Sequence, residues 1–473
     1  MTASAPVASR RFELADQLRF ARLSGDVNPM HVDAIAARRL LTGRPVVHGV
    51  HTLLTALEHG ALPWPAAWRL DADFLNPLSV GDELRIRSER DDADAPLLLA
   101  EAAGLAVCRV AVTAEAPPRP PVPACDEVEP IALGAQPLDR EPASWVGRCQ
   151  RLALPAARFD AEFPRCCAQL GERRVAAIAL LSSYVGMVCP GLHSVFSSLS
   201  VEPGDPQADA LRFRVRRYDP RFRIFVIDFD GPVRGEIKAF LRATAQAQPD
   251  MAALQPLLRP GEFAPSRHWV IGGSRGLGEL VAKLLAAGGA GVTLSYASGA
   301  DDAQRVVADI AAAGAPAAEA RHLDLTQPDF GGWLDHAPWP DAVWYFATPR
   351  IFRKKAGLFD AALLDEFLGF YVRRFEALCQ ALEQAAGARR SLIFYPSTAF
   401  IGERPKGMTE YAMAKAAAEV LIDDLARTLR QVKPVARRLP RLATDQTAGL
   451  AGGSAMANAE VMLPVLRELL AAS

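Results

Sequence analysis

The stretch SGDVNPMH, Ser24 to His31, sets Asp26, Asn28 and His31 close together, with Gly25 and Pro29 imposing a turn between them. An Asp and a His five residues apart, with Asn between, can converge on one water; the Asp can hold the His, and both can take or give a proton. Taken alone, the stretch also reads as an Asx turn, with Asp26 and Asn28 capping their own backbone and His31 incidental. VVHGVH follows, with His48, Gly49 and His51. Far along the chain, Tyr411-Ala-Met-Ala-Lys415 puts a phenol and an ammonium at i and i+4, on one helix face. An ammonium beside a phenol favours the phenolate and suits the pair to proton transfer. A third cluster is GGSRGLG, in which Gly272, Gly276 and Gly278 surround Ser274, Arg275 and Leu277. Such a loop turns tightly and brings a diphosphate against a helix N-terminus.

The elements that must position these groups are of two kinds. In the first half, LSVGDELRIRSERDD from Leu78 and LSVEPGDPQADALRFRVRRYD from Leu199 share an order of LSV, GD and alternating apolar and Arg positions. The alternation predicts strands with one buried face: Leu211, Phe213 and Val215 inward, Arg212, Arg214 and Arg216 outward. HGVHTLLTALEHG precedes the first set and RRVAAIALLSSYVGM the second, each of helix length. One helix followed by long antiparallel strands, twice, predicts a duplicated α+β unit. After Arg267, strand and helix alternate: SRHWVIGG, GLGELVAKLLAAGG, GVTLSYA, DDAQRVVADIAAAG, ARHLDL, DAVWYFA and SLIFYPS. That order predicts an α/β doubly wound parallel sheet. The Pro-rich Ala116–Ala124 and the stretch Gln248–Arg267 read as breaks. The expected organisation is 1–117, a linker 118–138, 139–250, a linker 251–265, and 266–473.

Lys plus Arg number 53 against 54 Asp plus Glu, which argues against a global nucleic-acid footprint. No apolar run long enough to span a bilayer occurs, so no membrane partner is expected. The seven cysteines show no CxxC spacing, and reduced thiols in a cytoplasmic protein are expected. RIFRKKAG, Arg350 to Gly357, gathers cations that could meet a phosphate or an acidic carrier, or form a solvated loop.

FARLSGDVNPMHVDAIAA resembles the motif of the MaoC-like (R)-specific enoyl-thioester hydratases, with Met30 where a branched aliphatic is usual. VVHGVH and FLNPLSVGDEL resemble later signatures of that family, and the likeness spans roughly Arg11 to Glu115. It implies a hotdog fold in which Asp26 and His31 handle water at the β-carbon and Asn28 orients them. It further implies a thioester carbonyl near Gly49, stabilised by a backbone N–H and the helix dipole. His48 is expected to be structural, and His51 lies off the site. The second half looks like a degenerate second hotdog without GDxNPxH, its His193 structural, giving a double hotdog followed by a Rossmann-type domain.

The glycine loop, Asp324 in HLDLT and YAMAK together resemble the short-chain dehydrogenase/reductase family across residues 266–473. The likeness implies Tyr411 as proton donor or acceptor, Lys415 as its activator and ribose ligand, and Ser397 or Thr398 as carbonyl orienter. Gly272, Ser274, Arg275, Gly276, Leu277, Gly278, Ser298 and Asp324 are then the cofactor-binding set. The second strand ends Ser295-Tyr-Ala-Ser298 with no acid before Asp301, and Arg275 can meet a 2′-phosphate, so NADP is expected rather than NAD. FATPR replaces the family's Asn-Ala-Gly turn, and no Asn lies between Asn76 and Asn458 to complete its proton relay. The two likenesses meet at a 3-hydroxyacyl thioester. The expected activity is NADPH-dependent reduction of a 3-ketoacyl thioester and dehydration of the product, on CoA or acyl carrier protein. The alternatives are the degradative hydratase–dehydrogenase pair and a hydratase fused to a redox-inactive scaffold. A homo-oligomer, dimer or tetramer, is the family habit.

Overall fold

The computed structural model describes residues 7–65, 67–91, 95–114, 127–244, 247–353, 355, 357–444 and 455–471. The Pro-rich Ala116–Ala124 and Lys354 lie outside them. The chain divides into two compact units, Met1–Ala243 and Thr244–Ser473.

The first unit is built on one sheet of 11 strands. In chain order they are β1 (Ala8–Arg11), β2 (Trp68–Phe74), β3 (Glu83–Arg90), β4 (Pro96–Ala102), β5 (Leu105–Ala114), β6 (Glu129–Pro130), β7 (Cys149–Ala153), β8 (Ser194–Pro203), β9 (Ala210–Asp219), β10 (Ile224–Asp230) and β11 (Val233–Leu241). Their spatial order is β1-β3-β4-β5-β2-β8-β11-β10-β9-β7-β6. Read outward from the central β2–β8 pair, the two halves repeat one arrangement: β2-β5-β4-β3-β1 and β8-β11-β10-β9-β7. β2 and β8 run antiparallel from Leu70↔Val201 to Asp73↔Ser198, so the halves share an unbroken ladder. The alternation read in β9 holds: Leu211, Phe213 and Val215 are fully buried and Arg212 and Arg216 exposed.

Helix Gly49–His59 packs on the first half. Helix Glu172–Ser183 packs on the second and continues as a π-helical turn, Tyr184–Val188. Most residues of these segments are buried, which suits helices packed against the sheet and against each other. Glu58 joins the two halves: its carboxylate accepts the backbone N–H groups of Arg165 and Cys166 at 2.9 Å each, at the start of helix Pro164–Leu170. Cys149 is disulfide-bonded, a departure from the all-reduced expectation, while Cys108, Cys166, Cys167, Cys189 and Cys379 are free thiols.

The second unit carries six parallel strands: β12 (Arg267–Ile271), β13 (Gly291–Tyr296), β14 (Ala318–His322), β15 (Ala342–Tyr345), β16 (Ser391–Thr398) and β17 (Val432–Leu439). Their order, β14-β13-β12-β15-β16-β17, is the 3-2-1-4-5-6 of a doubly wound dinucleotide-type sheet. Strand alternation sorts the core onto two faces. Val270, Leu294, Trp344 and Phe394 pack with helices Gly276–Ala287, Ala300–Ala312 and Ala455–Ala471. Trp269, Ile271, Tyr345 and Tyr395 pack with helices Ala361–Leu368, Arg374–Ala385 and Thr409–Thr428. The stretch 251–265, expected as linker, gives Met251, Leu254 and Phe263 to the first of these cores. No described helix is long and apolar enough to cross a membrane.

Candidate active sites

Helix Leu14–Ser24 ends at Gly25, whose φ of 86° turns the chain so that Asp26, Asn28 and His31 follow at once. Asn28 caps the short helix Pro29–Val32 by accepting the Met30 N–H at 3.1 Å. Its Nδ2 donates at 2.8 Å to the carbonyl of Gly186, in the second half of the unit. The Asx turn and the functional cluster are therefore the same structure. Asn28 makes both kinds of bond, and Asp26 accepts the Asn28 N–H at 3.2 Å.

Asp26 is buried. Ser182 Oγ donates to its Oδ2 at 2.6 Å. Gly186 lies so close that a Cβ there would stand 2.4 Å from Asp26 Oδ1. Burial pushes the Asp26 carboxyl above its usual range, opposed by His31 and by the Ser182 hydrogen bond. His31 donates from Nδ1 to the Val46 carbonyl at 2.6 Å, which leaves the lone pair on Nε2. Burial lowers its pKa, with Asp26 working against the shift. Asp26, His31 and His48 each place one ligand-type atom within 4.8 Å of the others.

His48 is the residue before helix Gly49–His59. Its Nε2 faces the Asp26 carbonyl at 3.0 Å, its Nδ1 faces Gln17 Oε1 at 2.9 Å, and its ring stacks on His31 at 3.9 Å. It thereby joins the helix start to the Asp26 turn and fixes the His31 ring plane. The first N–H groups of that helix have no intrahelical acceptor. At Gly49 a Cβ would meet the Phe74 ring at 3.2 Å, so the small residue lets that ring pack closely on the helix start. His51 sits within the core, stacked on Phe20 at 4.5 Å, its ring nitrogens without hydrogen-bond partners among the described residues. His193 faces Asp139 at 3.7 Å. Ser182 and Gly186 were not singled out in the sequence. The only trace is the small-residue run SSYVG late in an apolar helix.

In the second unit Gly272 has φ 81°, and a Cβ there would lie 2.8 Å from the Ala347 N at the end of β15. A Cβ on Gly278 would lie 2.1 Å from the Gly272 carbonyl oxygen, so helix Gly276–Ala287 seats directly on the loop. Loop and helix start therefore stand at the switch point between β12 and β15, where such sheets take nucleotides. Ser274 is buried, Arg275 caps the helix with extended backbone and Leu277 is half-buried. Ser298 is exposed beyond β13, and Asp301 lies in the first turn of helix Ala300–Ala312. β14 stops at His322, before Asp324, whose Oδ1 accepts the Thr326 N–H at 2.8 Å and so sits below the usual carboxylate range.

Tyr411 and Lys415 share a face of helix Thr409–Thr428, as their spacing requires. Burial lifts the Tyr411 phenol to about 12, and a hydrogen bond with Thr398 works against the lift. Ser397 donates to Glu419, about two turns beyond Tyr411 on the same helix, which also holds Arg438 at 2.6 Å. Of the two hydroxyls considered in sequence, Thr398 is the one bonded to Tyr411, and Ser397 is engaged by Glu419 instead. Lys415 donates to the Pro396 carbonyl at 2.7 Å, and burial lowers its pKa to about 7. Of the basic loop, Lys355 is bound to Glu410, the residue before Tyr411, and Arg353 to Glu366.

Comparison with known proteins bears on the first of these sites. Residues 3–95 match the family described as MaoC like domain. They carry a MaoC-like domain. An (R)-specific enoyl-CoA hydratase of Aeromonas caviae is 36% identical over 85 residues, 17% of this chain and 63% of that protein. A 3-hydroxybutyryl-CoA dehydratase of Methylorubrum extorquens is 29% identical over 87 residues, 18% of this chain and 55% of that protein. The chain thus spans about three-fifths of the curated relatives that the MaoC-like domain matches. Among solved structures, a short chain dehydrogenase from Burkholderia cenocepacia in complex with NADP is 29% identical, TM-score 0.36, covering 42% of this chain and 81% of that one. A 3-oxoacyl (acyl-carrier-protein) reductase from Agrobacterium tumefaciens with NADP bound is 22% identical, TM-score 0.36, covering 40% and 75%.

Proposed function

We propose that the chain is a bifunctional acyl-thioester enzyme. The unit Met1–Ala243 interconverts a 3-hydroxyacyl and an enoyl thioester, and the unit Thr244–Ser473 reduces a 3-ketoacyl thioester with NADPH. The observation that carries the reading is the Asp26–Asn28–His31 turn, bolted by His48 to the start of helix Gly49–His59 and closed by Ser182 and Gly186.

In the hydration direction, His31 Nε2 and Asp26 hold water, accept its proton and leave hydroxide to bond the β-carbon. A proton returns to the α-carbon, and the thioester oxygen is held by N–H groups near Gly49. Dehydration is the reverse. The degenerate second half completes a double hotdog and contributes side chains that shape the Asp26 carboxylate. The relatives' names point to CoA thioesters as substrate.

At the second site, the loop Gly272, Ser274, Arg275, Gly276, Leu277 and Gly278 suits a diphosphate, since Gly272 and Gly278 let it pack tightly against the end of β15 and the start of helix Gly276–Ala287, whose first backbone amides have no intrahelical acceptor. Ser298, Asp324 and the Tyr411–Lys415 pair complete the set that would hold the dinucleotide. NADP is favoured because β13 ends without a carboxylate and Arg275 stands in the glycine loop. Bound NADPH supplies the hydride. Tyr411 gives its proton to the substrate oxygen, Thr398 orients that oxygen, and the Lys415 ammonium lowers the cost of the phenolate left behind.

The test mixes the purified full chain with NADPH and a short 3-ketoacyl-CoA, follows NADPH absorbance and identifies products by mass. Loss of NADPH with hydroxyacyl and enoyl products is expected. Hydration of an added enoyl-CoA without NADPH loss on any ketoacyl thioester would leave the first activity alone standing.

A further inference from the structure

The surroundings of Lys415 depart from what its family likeness implies. No Asn stands near it, and its ammonium lies between aromatic faces. Lys415 Nζ is 4.1 Å from the Tyr371 ring centroid and 4.3 Å from that of Tyr395, and Tyr411 is farther at 5.8 Å. An ammonium has three donors. One reaches the Pro396 carbonyl at 2.7 Å. Glu419 is the carboxylate that acts on Lys415, yet it is engaged by Arg438 at 2.6 and 2.8 Å and by Ser397.

We propose that Tyr371 and Tyr395 are positioning residues of the second site, whose ring faces hold the Lys415 ammonium charged and in place where a relay residue is missing. The inference rests on the reductase reading of Tyr411 and Lys415.

Both rings are built for this contact. Tyr371 comes from the π-helical turn Gly369–Arg373, and its hydroxyl pairs with Thr348 in the FATPR segment after β15. Tyr395 comes from β16, beside Pro396, whose carbonyl Lys415 binds. Both rings are buried, so the quadrupole acts without water between. The Tyr395 hydroxyl has no hydrogen-bond partner among the described residues, so the contact Tyr395 makes with Lys415 is through its ring. Burial holds both phenols, and that of Tyr345 nearby, well above their usual range, so they stay neutral beside the ammonium. The charged groups around Lys415 are therefore Glu419 with its partner Arg438, and Tyr411 when it ionises. With burial lowering Lys415 to about 7, a modest attraction decides its charge at neutral pH.

The test needs no nucleotide. The full chain is labelled with 13Cε-lysine, Lys415 is assigned with Lys415→Arg, and its resonance is titrated. Tyr371→Phe keeps the ring face and is expected to leave the midpoint unchanged. Trifluorophenylalanine at 371 keeps the shape but drains the face, and should lower the midpoint by about one pH unit. The same pair at 395 serves if position 371 does not tolerate change. Equal midpoints for phenyl and fluorinated rings at both positions would overturn the clamp, even in an active reductase. A lowered midpoint in a chain that never consumes NADPH would support the clamp and count against the reductase reading alone.

Discussion

Burial acts on Asp26 and His31 in opposite directions, raising the carboxyl and lowering the imidazole, while each charge works against the shift of the other. Ser182 tips that balance by donating to the Asp26 carboxylate at 2.6 Å, a bond that favours the ionised form. Ser182→Ala removes it and raises the Asp26 pKa further. The acid limb of hydration is therefore expected to move up by about one pH unit, while the plateau falls less than in Asp26→Asn. Asp26→Asn should lower hydration by about a thousandfold at every pH. A pH–rate series on an enoyl-CoA checks both, and an unmoved acid limb in Ser182→Ala would break the link between the two residues. In the second unit the discriminating pair is Thr398→Val against Ser397→Ala. With Thr398 on Tyr411 and Ser397 on Glu419, the first should cost NADPH-linked turnover about a hundredfold and the second far less. Comparable losses would mean that Ser397 reaches the substrate.

At the scale of elements, the π-helical turn Tyr184–Val188 is the part of the second half of Met1–Ala243 that packs directly on Asp26. Gly186→Ala would put a methyl 2.4 Å from Asp26 Oδ1. Loss of hydration with retained folding, read by circular dichroism, is the expected outcome, and full activity would show that the turn is free to move. Glu58 is the corresponding structural joint. Glu58→Ala leaves two N–H groups of helix Pro164–Leu170 without their acceptor and should cost about 1–3 kcal/mol in urea unfolding. Legibility in the sequence follows the same division. The strands, the two long helices and the parallel order of the second unit were readable because period-2 and period-3.6 patterns are local. The Asp26 turn and the Tyr411–Lys415 face were readable because each lies within a few residues. Ser182 was not, because it meets Asp26 across 156 positions of sequence, and no local spacing encodes that contact. Thr398 and Ser397 could not be separated for a subtler reason: which of two adjacent hydroxyls meets Tyr411 depends on how helix Thr409–Thr428 lies against the end of β16. Tyr371 was hidden because an aromatic residue in an amphipathic helix reads as core.

For the molecule as a whole, histidine burial predicts which unit fails first in acid. Of the eight histidines, His31, His48 and His51 are buried in the first unit and each has a lowered pKa, caused first by desolvation. The second unit has one such group, His268, lowered to about 4. A depressed histidine binds fewer protons folded than unfolded below the unfolded pKa of about 6.5. Stability is then complete above that value and is lost as pH falls from it toward the folded pKa. Each such imidazole makes the fold lose stability as pH falls through that window, and the first unit holds three of them. Asp26 works the other way, because its raised pKa adds stability as pH falls, but it is one group against three. His51 is the cleanest probe, since its ring lies among Phe12, Phe20 and Phe163 and bonds to nothing the mechanism uses. His51→Phe keeps an aromatic ring there without a titrating nitrogen. Hydrogen exchange read by mass spectrometry between pH 7.5 and 5.5 follows both units in one sample. Protection in Met1–Ala243 should fall faster with acid than in Thr244–Ser473, and His51→Phe should reduce that slope. Equal slopes in the two units, or an unchanged slope in the variant, would mean that the buried imidazoles reach water or protons more readily than their packing allows.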